Sequence, residues 1–303
     1  NGQGRRLPPA YLITMTGIFD SSITFWLTLP IKTPLRRPRP RLPMMMRSAF
    51  SSSASSRMHL ATCPLLTCLR AVRLSGSFSQ KAYEEAVKLG VGTVAASTKE
   101  ENYVRVPRQD ELNIAPGAAY LHICLNNTIY GTEYHYTPQT NGVPLFADMS
   151  SDMLSRPWDF SSYDFIYAGV QKNLGPAGVV LNIAKKELLA NPPAELPTML
   201  RYSTFQKNDS LYNTPPVFAI YIVGKVARWI KERGGLAAMG EANAKKAALL
   251  YEAIDSSDGF YRGHAAKDSR SRMNVTFRLP SEELEKKFVA EALEHGLGGV
   301  KGH

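Results

Sequence analysis

The sequence predicts an α/β fold with a mostly parallel sheet, and three observations support this. From Ser79 onward, short apolar runs alternate with longer segments of helical period, as in chains that wind helices around a sheet. Glycines and prolines separate these segments and mark the loops between them. The chain has 303 residues, of which 44% are hydrophobic, so it can bury a large core.

The first elements follow one another regularly. A helix is predicted at Ser79–Leu89, with Ser79 as its N-cap and Gly90 after its end. Short apolar runs bounded by turn residues predict five strands, at Val91–Ala96, Ala118–Cys124, Val143–Ala147, Asp164–Ala168 and Val179–Ile183. Because the strands are short and buried in character, we expect most of them to pair in parallel.

The C-terminal third has a more helical pattern. Its spacing predicts helices at Phe218–Arg233 and Met239–Ile254, and an alternating run predicts a strand at Ser271–Leu279. Gly234 and Gly235 separate the two helices and mark an expected domain hinge. Ser281 is expected to cap a last helix, because Glu282 and Glu283 in its first turn suit the helix dipole.

The first 75 residues differ in composition from the rest. They hold 11 of the 36 lysines and arginines but only one of the 26 acidic residues, so the formal net charge of +10 comes from this part alone. Prolines cluster at Pro34–Pro43 and serines at Ser48–Ser56, which is not a core-forming composition. We therefore expect 1–75 to be a basic extension that is disordered or resembles a transit peptide.

The run Met46–Arg57 is rich in arginine and serine and lacks acids, as plastid transit peptides do. An extension without any address, which would leave the protein in the cytoplasm, is the alternative. Tyr11–Pro30 is apolar, but Asp20 and neighbouring serines interrupt it, so a membrane anchor is a weaker reading. Residues 76–303 carry no net charge, and we expect neither a nucleic-acid nor a membrane partner for them. The three cysteines and six histidines show no ligand spacing, so no metal site is expected.

Lys172 is the candidate reactive residue of the chain. It lies within Phe165–Ile183, between two strand-like runs, on a turn dense in glycine. A lysine held on such a turn can lose hydration, which activates its amine for Schiff-base chemistry with a carbonyl cofactor. The alternative, from spacing alone, is a solvated lysine in an ordinary connection between strands.

Asp148 is the candidate acidic partner, because it ends the apolar run Val143–Ala147. Ligands of open α/β sheets lie at the carboxyl ends of strands, and a carboxylate there could hold a pyridine nitrogen protonated. An aspartate after a strand is equally often a helix N-cap, and Ser150 and Ser151 could serve in the same way.

Several separated motifs, in a fixed order, closely resemble the phosphoserine aminotransferase family, which belongs to the class V, fold-type I pyridoxal-phosphate enzymes. They are Ala168–Gly178, Tyr120–Gly131, Asn208–Pro216, Ser271–Val275 and Val300–His303. The resemblance covers about Gly76 to His303. It implies a fold-type I aminotransferase, with an incomplete cofactor-binding large domain at 76–233 and an incomplete small domain at 234–303.

The resemblance implies that pyridoxal 5'-phosphate is bound by seven residues: Phe78, Thr128, Asp148, Gln171, Lys172, Asn213 and Thr214. Lys172 would form the Schiff base and move the proton, and Asp148 would pair with the pyridine nitrogen. Thr128 would bond the phenolic oxygen and Gln171 the phosphate. Phe78 stands where the family has a tryptophan against the ring, and a phenyl ring offers less stacking area.

The resemblance also implies the partners. Asn213 and Thr214 match residues that reach the cofactor phosphate of a neighbouring subunit, so a homodimer with shared sites is expected. His303 matches a histidine near the substrate phosphate. The implied reaction is reversible amino transfer between O-phospho-L-serine and 2-oxoglutarate on one side and 3-phosphohydroxypyruvate and L-glutamate on the other, in serine biosynthesis.

The sequence departs from the family at both ends. No glycine lies between Gly17 and Gly76, where the family has a glycine-rich turn that holds the cofactor phosphate. The substrate-binding arginines that follow the family's counterpart of His303 are not found either. The alternative interpretation is therefore a catalytically silent, truncated homologue that folds or dimerises without turnover.

Overall fold

The computed structural model describes residues 69–302 and the backbone of one further strand, Ile23–Thr28. The expectations for the run Met46–Arg57 and for His303 therefore lie outside the described residues, as does most of Tyr11–Pro30. Within the described part, no helix has both the length and the apolar character that a membrane span requires.

A seven-stranded sheet forms the centre of the fold. Its strands are β1 (Ile23–Thr28), β2 (Leu69–Leu74), β3 (Gly92–Ser97), β4 (Ala118–Cys124), β7 (Leu145–Asp148), β8 (Phe165–Gly169) and β9 (Val180–Lys185). The spatial order is β1-β9-β8-β7-β4-β2-β3. From β3 to β8 all neighbours pair in parallel, while β9 is antiparallel to both β8 and β1. The predicted mostly parallel sheet is confirmed.

Helices and two small ribbons surround this sheet. The helices are α1 (Ser77–Lys88), α2 (Tyr202–Lys207), α3 (Val217–Glu232), α4 (Gly235–Asp255) and α5 (Glu282–Glu294). The ribbons pair β5 (Asn126–Asn127) with β6 (Thr132–Glu133), and β10 (Arg262–Gly263) with β11 (Phe277–Arg278). The two helices predicted around the glycine pair are confirmed as α3 and α4. The helix α4 begins four residues earlier than expected, at Gly235.

The core lies on both faces of the sheet. On one face, Ile166 of β8 and Leu121 of β4 pack in the same cluster as Val223 of α3. On the other face, Phe165 and Leu189 form a smaller cluster. Successive side chains of β8 point to opposite faces of the sheet, so this strand contributes to the clusters on both faces. Each large apolar side chain that is removed from water stabilises the fold by roughly 1.5–3 kcal/mol.

The parallel strands place three loops at one edge of the sheet. The register aligns Cys124 of β4 with Asp148 of β7, and Asp148 with Tyr167 of β8. The strands therefore end almost together, and the segments that follow them meet at their carboxyl ends, where open α/β sheets bind ligands.

Ser79 is not the N-cap of the first helix, so that prediction is wrong. The helix α1 begins two residues earlier, after Gly76. Ser79 lies within the first turn, where its hydroxyl accepts from Ser75 N at 3.0 Å and from Gly76 N at 3.1 Å. The hydroxyl thus satisfies two backbone donors that precede the helix, which is the reciprocal half of a capping box.

The predicted strand Ser271–Leu279 is also wrong, because only Phe277–Arg278 is extended and paired, as β11. The buried Ser271 hydroxyl donates to Asn126 Oδ1 at 2.5 Å and accepts from Met273 N and Asn274 N. These local bonds turn the chain and compete with a strand ladder.

The sheet begins before the boundary that the sequence suggested, because β2 at Leu69–Leu74 lies within the expected extension. The strand was not predicted because its arginines suggested a solvent-exposed segment. Arg73 is fully buried, and its Nη2 donates to the Pro107 carbonyl at 2.6 Å and to the Tyr136 hydroxyl at 2.8 Å. A buried guanidinium with hydrogen-bond partners is compatible with a central strand, although periodicity alone reads it as a solvent position.

Candidate active site

Lys172 lies on the tight connection between β8 and β9, as the sequence predicts. Buried residues on both sides, Val170 and Leu174, anchor this turn. The Val170 carbonyl accepts from Leu174 N and Gly175 N, each at 2.9 Å. The turn is therefore fixed from below while the lysine side chain stays exposed at the edge of the sheet.

The Lys172 ammonium has a defined hydrogen-bond partner. Its Nζ donates to Thr128 Oγ1 at 2.9 Å. Thr128 lies in the turn between β5 and β6, which Gly131 closes by donating its N–H to the Asn127 carbonyl at 2.8 Å. Gly131 adopts a φ of 67°, and a Cβ there would lie 2.6 Å from Thr276 Oγ1, so the turn requires glycine.

Phe78 provides an aromatic surface at the same place. It is in the first turn of α1 and remains 36% exposed. The Lys172 Nζ lies 4.7 Å from the centre of its ring. The structure thus brings together an amine, a hydroxyl and a partly exposed ring face, from Lys172, Thr128 and Phe78.

Asp148 ends β7, half-buried, at the same edge of the sheet. Its Oδ1 accepts from Ser150 N at 2.9 Å, which is the local bond that a capping residue would make. The residues that follow form turns and not an α-helix, so helix capping does not account for this aspartate. The backbone N–H of Ser150 fixes one oxygen of the Asp148 carboxylate. The carboxylate lies at the carboxyl end of the strand, where open α/β sheets bind their ligands.

The charges of Asp148 and Lys172 act on the same buried thiol. Burial raises the pKa of Cys124 well above its usual value, the charge of Asp148 raises it further, and the charge of Lys172 opposes this. The thiol is therefore protonated and unreactive at neutral pH. The carboxylate of Asp148 and the amine of Lys172 thus both act on the end of β4.

Two residues behind Asp148 were not predicted from the sequence. His122 Nε2 lies 2.9 Å from the Tyr167 hydroxyl. Burial, and then the charge of Asp148, raise the pKa of Tyr167, so its hydroxyl stays protonated. Burial lowers the pKa of His122, and its Nδ1 has no hydrogen-bond partner among the residues that the structure describes. The lowered pKa keeps the His122 imidazole neutral beside Asp148.

Gln171 precedes Lys172 on the turn and is exposed. Its side chain lies against the backbone of Gly169, where a Cβ would approach Gln171 Oε1 to 2.8 Å. Asn213 and Thr214 lie on the loop between α2 and α3, and Asn213 Nδ2 donates to the Thr214 carbonyl at 3.3 Å, a bond that stays within the loop. The predicted cofactor contacts of these three residues stay predictions, as does the substrate contact of His303.

The arrangement fits a pyridoxal group, by the chemistry of its donors. A planar ring can stack on Phe78, a carbonyl carbon can react with the Lys172 amine, and a phenolic oxygen can bond the Thr128 hydroxyl beside that amine. The carboxylate of Asp148 supplies the acceptor that a protonated ring nitrogen needs. The residues present therefore match the reactive half of such a cofactor.

Comparisons with known proteins identify the family of the chain. A sequence profile of the family Aminotransferase class-V matches residues 79–297. The phosphoserine aminotransferase of Herpetosiphon aurantiacus is 54% identical over 230 residues, which cover 76% of this chain and 64% of that protein. The chain thus spans 64% of the length of this relative.

Solved structures share the fold. A phosphoserine aminotransferase from Bacillus circulans subsp. alkalophilus superposes with a TM-score of 0.80 at 44% identity, over 94% of this chain and 73% of that one. The phosphoserine aminotransferase of Trichomonas vaginalis, solved with pyridoxal phosphate bound, has a TM-score of 0.77 at 31% identity, over 94% and 76% of the two chains. Because the profile covers most of the described residues and the relatives share the fold, the chain belongs to the class-V aminotransferase family.

Proposed function

We propose that this chain carries the pyridoxal-phosphate-dependent chemistry of a phosphoserine aminotransferase. The reaction is reversible amino transfer between O-phospho-L-serine and 2-oxoglutarate on one side and 3-phosphohydroxypyruvate and L-glutamate on the other. One observation carries the proposal: Lys172 Nζ lies 2.9 Å from Thr128 Oγ1 and 4.7 Å from the centre of the Phe78 ring. The names of the relatives at 54% and 44% identity support the choice of substrates.

A bound pyridoxal cofactor would supply a carbonyl carbon that accepts the amino group and a ring that withdraws electrons, and the protein determines where protons go. Lys172 stands on a turn that the buried Val170 and Leu174 anchor, so its amine is held near one place. From there it could take a proton from the substrate α-carbon as a general base and deliver it to C4′ of the cofactor on the same face.

Thr128 and Asp148 fix the two ends of the ring. The Thr128 hydroxyl, which accepts from Lys172, holds the amine beside the reacting carbon. The Asp148 carboxylate, bonded to Ser150 N, keeps a proton on the ring nitrogen because an ion pair favours the protonated form. Phe78 sets the plane of the ring by contact with its face.

The proposal is tested by trapping the cofactor on the protein. The chain is incubated with pyridoxal phosphate and reduced with borohydride, and the labelled peptide is identified by mass spectrometry. We expect the label on Lys172, its loss in Lys172→Ala, and no change in Lys186→Ala, an exposed lysine of the same region. Phosphoserine should reduce the visible band of the unreduced protein. An unlabelled Lys172 at saturating cofactor would contradict the proposal.

We also propose that two copies associate, as the resemblance implies. The support is an exposed apolar surface next to Asn213 and Thr214, with exposed fractions of 48–72% at five residues: Leu211, Tyr212, Val217, Phe218 and Tyr221. Sedimentation equilibrium should give a dimer, and the double variant Phe218→Ser, Tyr221→Ser should shift it to monomer. A monomer at micromolar concentrations of the unaltered chain would rule this out.

The plastid is the proposed location, and its support is the composition of residues 46–57. A reporter fused after residues 1–75 should enter plastids, whereas the same fusion with the arginines of that run changed to glutamate should stay outside. A diffuse cytosolic signal from the first fusion would favour the cytoplasmic alternative.

A further inference from the structure

Ser150 contacts the ends of both strands that carry the reactive groups. It lies two residues after Asp148, and its backbone N donates to Asp148 Oδ1 at 2.9 Å. Its hydroxyl accepts from Gly169 N at 3.0 Å, across the sheet at the end of β8. One small residue therefore touches the carboxylate directly and also the strand from which the lysine turn departs.

The hydroxyl of Ser150 takes a place that a backbone carbonyl would occupy in a continuing sheet. The pairing of β7 with β8 ends at Asp148 and Tyr167, and Met149 N donates to the Tyr167 carbonyl at 2.9 Å as the last backbone bond. The next donor along β8 is Gly169 N, and its partner is the Ser150 side chain. A side-chain hydroxyl thus makes the last hydrogen bond between the ends of β7 and β8, next to the segments that carry Asp148 and Lys172.

The position of Gly169 determines the position of the turn that carries Lys172. The Gln171 side chain packs against it so closely that a Cβ at Gly169 would lie 2.8 Å from Oε1 and 2.9 Å from Nε2. The next residue, Val170, is fully buried, and its N donates to the Val179 carbonyl at 3.2 Å. Because the turn is packed on both sides, a displacement of Gly169 has to move Gln171 and Lys172 with it.

We propose that Ser150 is a positioning residue that holds the Asp148 carboxylate and the Lys172 amine in a single fixed geometry. The inference rests on the proposed function, in which these two groups hold opposite sides of one cofactor ring. Ser150 acts through Asp148 and Gly169 and has no part in the bond changes.

The first test needs no cofactor. Ser150→Ala keeps the backbone bond to Asp148 but leaves Gly169 N without its acceptor. The backbone around a partly buried, unpaired N–H opens more readily to solvent. Amide hydrogen exchange of the unliganded chain should therefore be about tenfold faster in the peptide around Gly169–Asn173. Ser150→Thr, which keeps the hydroxyl, should restore slow exchange. Ser161→Ala removes an exposed hydroxyl bonded to Asp159 and serves as the matched control.

The second test follows the bound cofactor. With pyridoxal phosphate trapped on Lys172, the visible circular dichroism per bound cofactor should fall at least about twofold in Ser150→Ala and recover in Ser150→Thr, because this signal reports orientation and not folding. Unchanged exchange in Ser150→Ala, or a rise spread evenly over the whole chain, would overturn the inference. If the unaltered chain is not labelled at Lys172, the proposed function fails, and the exchange result still decides whether Ser150 holds the turn.

Discussion

At the scale of single residues, the site depends on side chains that the sequence could name but not place. Lys172 and Thr128 are separated by 44 positions, and their 2.9 Å contact follows from the parallel pairing of β4, β7 and β8. His122 and Tyr167 read as ordinary strand residues, because an alternating apolar run gives no sign that two of its polar groups meet behind Asp148. The only local signal for Ser150 is its position two residues after a strand-ending aspartate.

Phe78 offers a prediction at this scale. Replacing it with tryptophan enlarges the stacking surface, so Phe78→Trp should bind pyridoxal phosphate about threefold more tightly, and Phe78→Ala about tenfold more weakly. Equilibrium dialysis measures both constants. Phe260→Trp, at an exposed phenylalanine remote in sequence from the site, should leave the affinity unchanged. Equal affinities in all three variants would show that the ring does not contact the cofactor.

At the scale of elements, local signals predict helix starts well only where the cap is standard. Ser281 meets this condition, because its hydroxyl accepts from Leu284 N at 3.3 Å and three glutamates lie in the first turn of α5. Ser79 does not, because glycine precedes the helix and the serine serves donors outside it. The strand predicted at Ser271–Leu279 does not form for a comparable reason, because the Ser271 hydroxyl accepts from the backbone of the residues two and three positions later.

The cap of α5 gives a second prediction. Ser281→Ala should lower the free energy of unfolding by about 1 kcal/mol, because Leu284 N loses its acceptor at the helix start. Urea unfolding followed by circular dichroism measures the change. Ser281→Asp keeps an acceptor and should stay within a few tenths of a kcal/mol of the unaltered chain. A loss as large in the aspartate variant as in the alanine variant would exclude capping as the cause.

At the scale of the whole molecule, a buried acidic pair links the stability to pH. Asp152 and Glu133 are both fully buried, and Arg156 lies 2.7 Å from Glu133 Oε1 but 3.8 Å from Asp152 Oδ2. Burial and the charge of Glu133 raise the pKa of Asp152 to about 7, and Arg156 opposes them only in part. His135 Nδ1, 3.8 Å from Glu133 Oε1, is a further titratable group at this cluster.

This cluster predicts the direction of the pH dependence. A raised folded pKa means that the contribution of Asp152 is complete below its unfolded value of 3.8 and is lost as the pH rises through about 7. The free energy of unfolding should therefore be lower at pH 8 than at pH 5, by up to about 1.4 kcal/mol for each pH unit between 5 and the folded pKa of about 7. Urea unfolding at the two pH values measures this difference.

Asp152→Asn should flatten the dependence, because the amide carries no proton to lose. The exposed Asp258→Asn is the matched control, at a position whose φ of 49° asparagine tolerates. If both variants keep the slope of the unaltered chain, Asp152 is not its source.

The sequence by itself determined the class of fold, the turn that carries Lys172 and the family, because periodicity, glycine placement and short ordered motifs are local properties of the chain. The tertiary structure decided which residues meet. Phe78, Thr128 and the pair Asp148 and Ser150 come from three separate segments, and only the parallel sheet brings the ends of its strands to one edge. It also decided that Arg73 could be buried, because the carbonyl and the tyrosines that surround it lie 34 or more positions away in the chain.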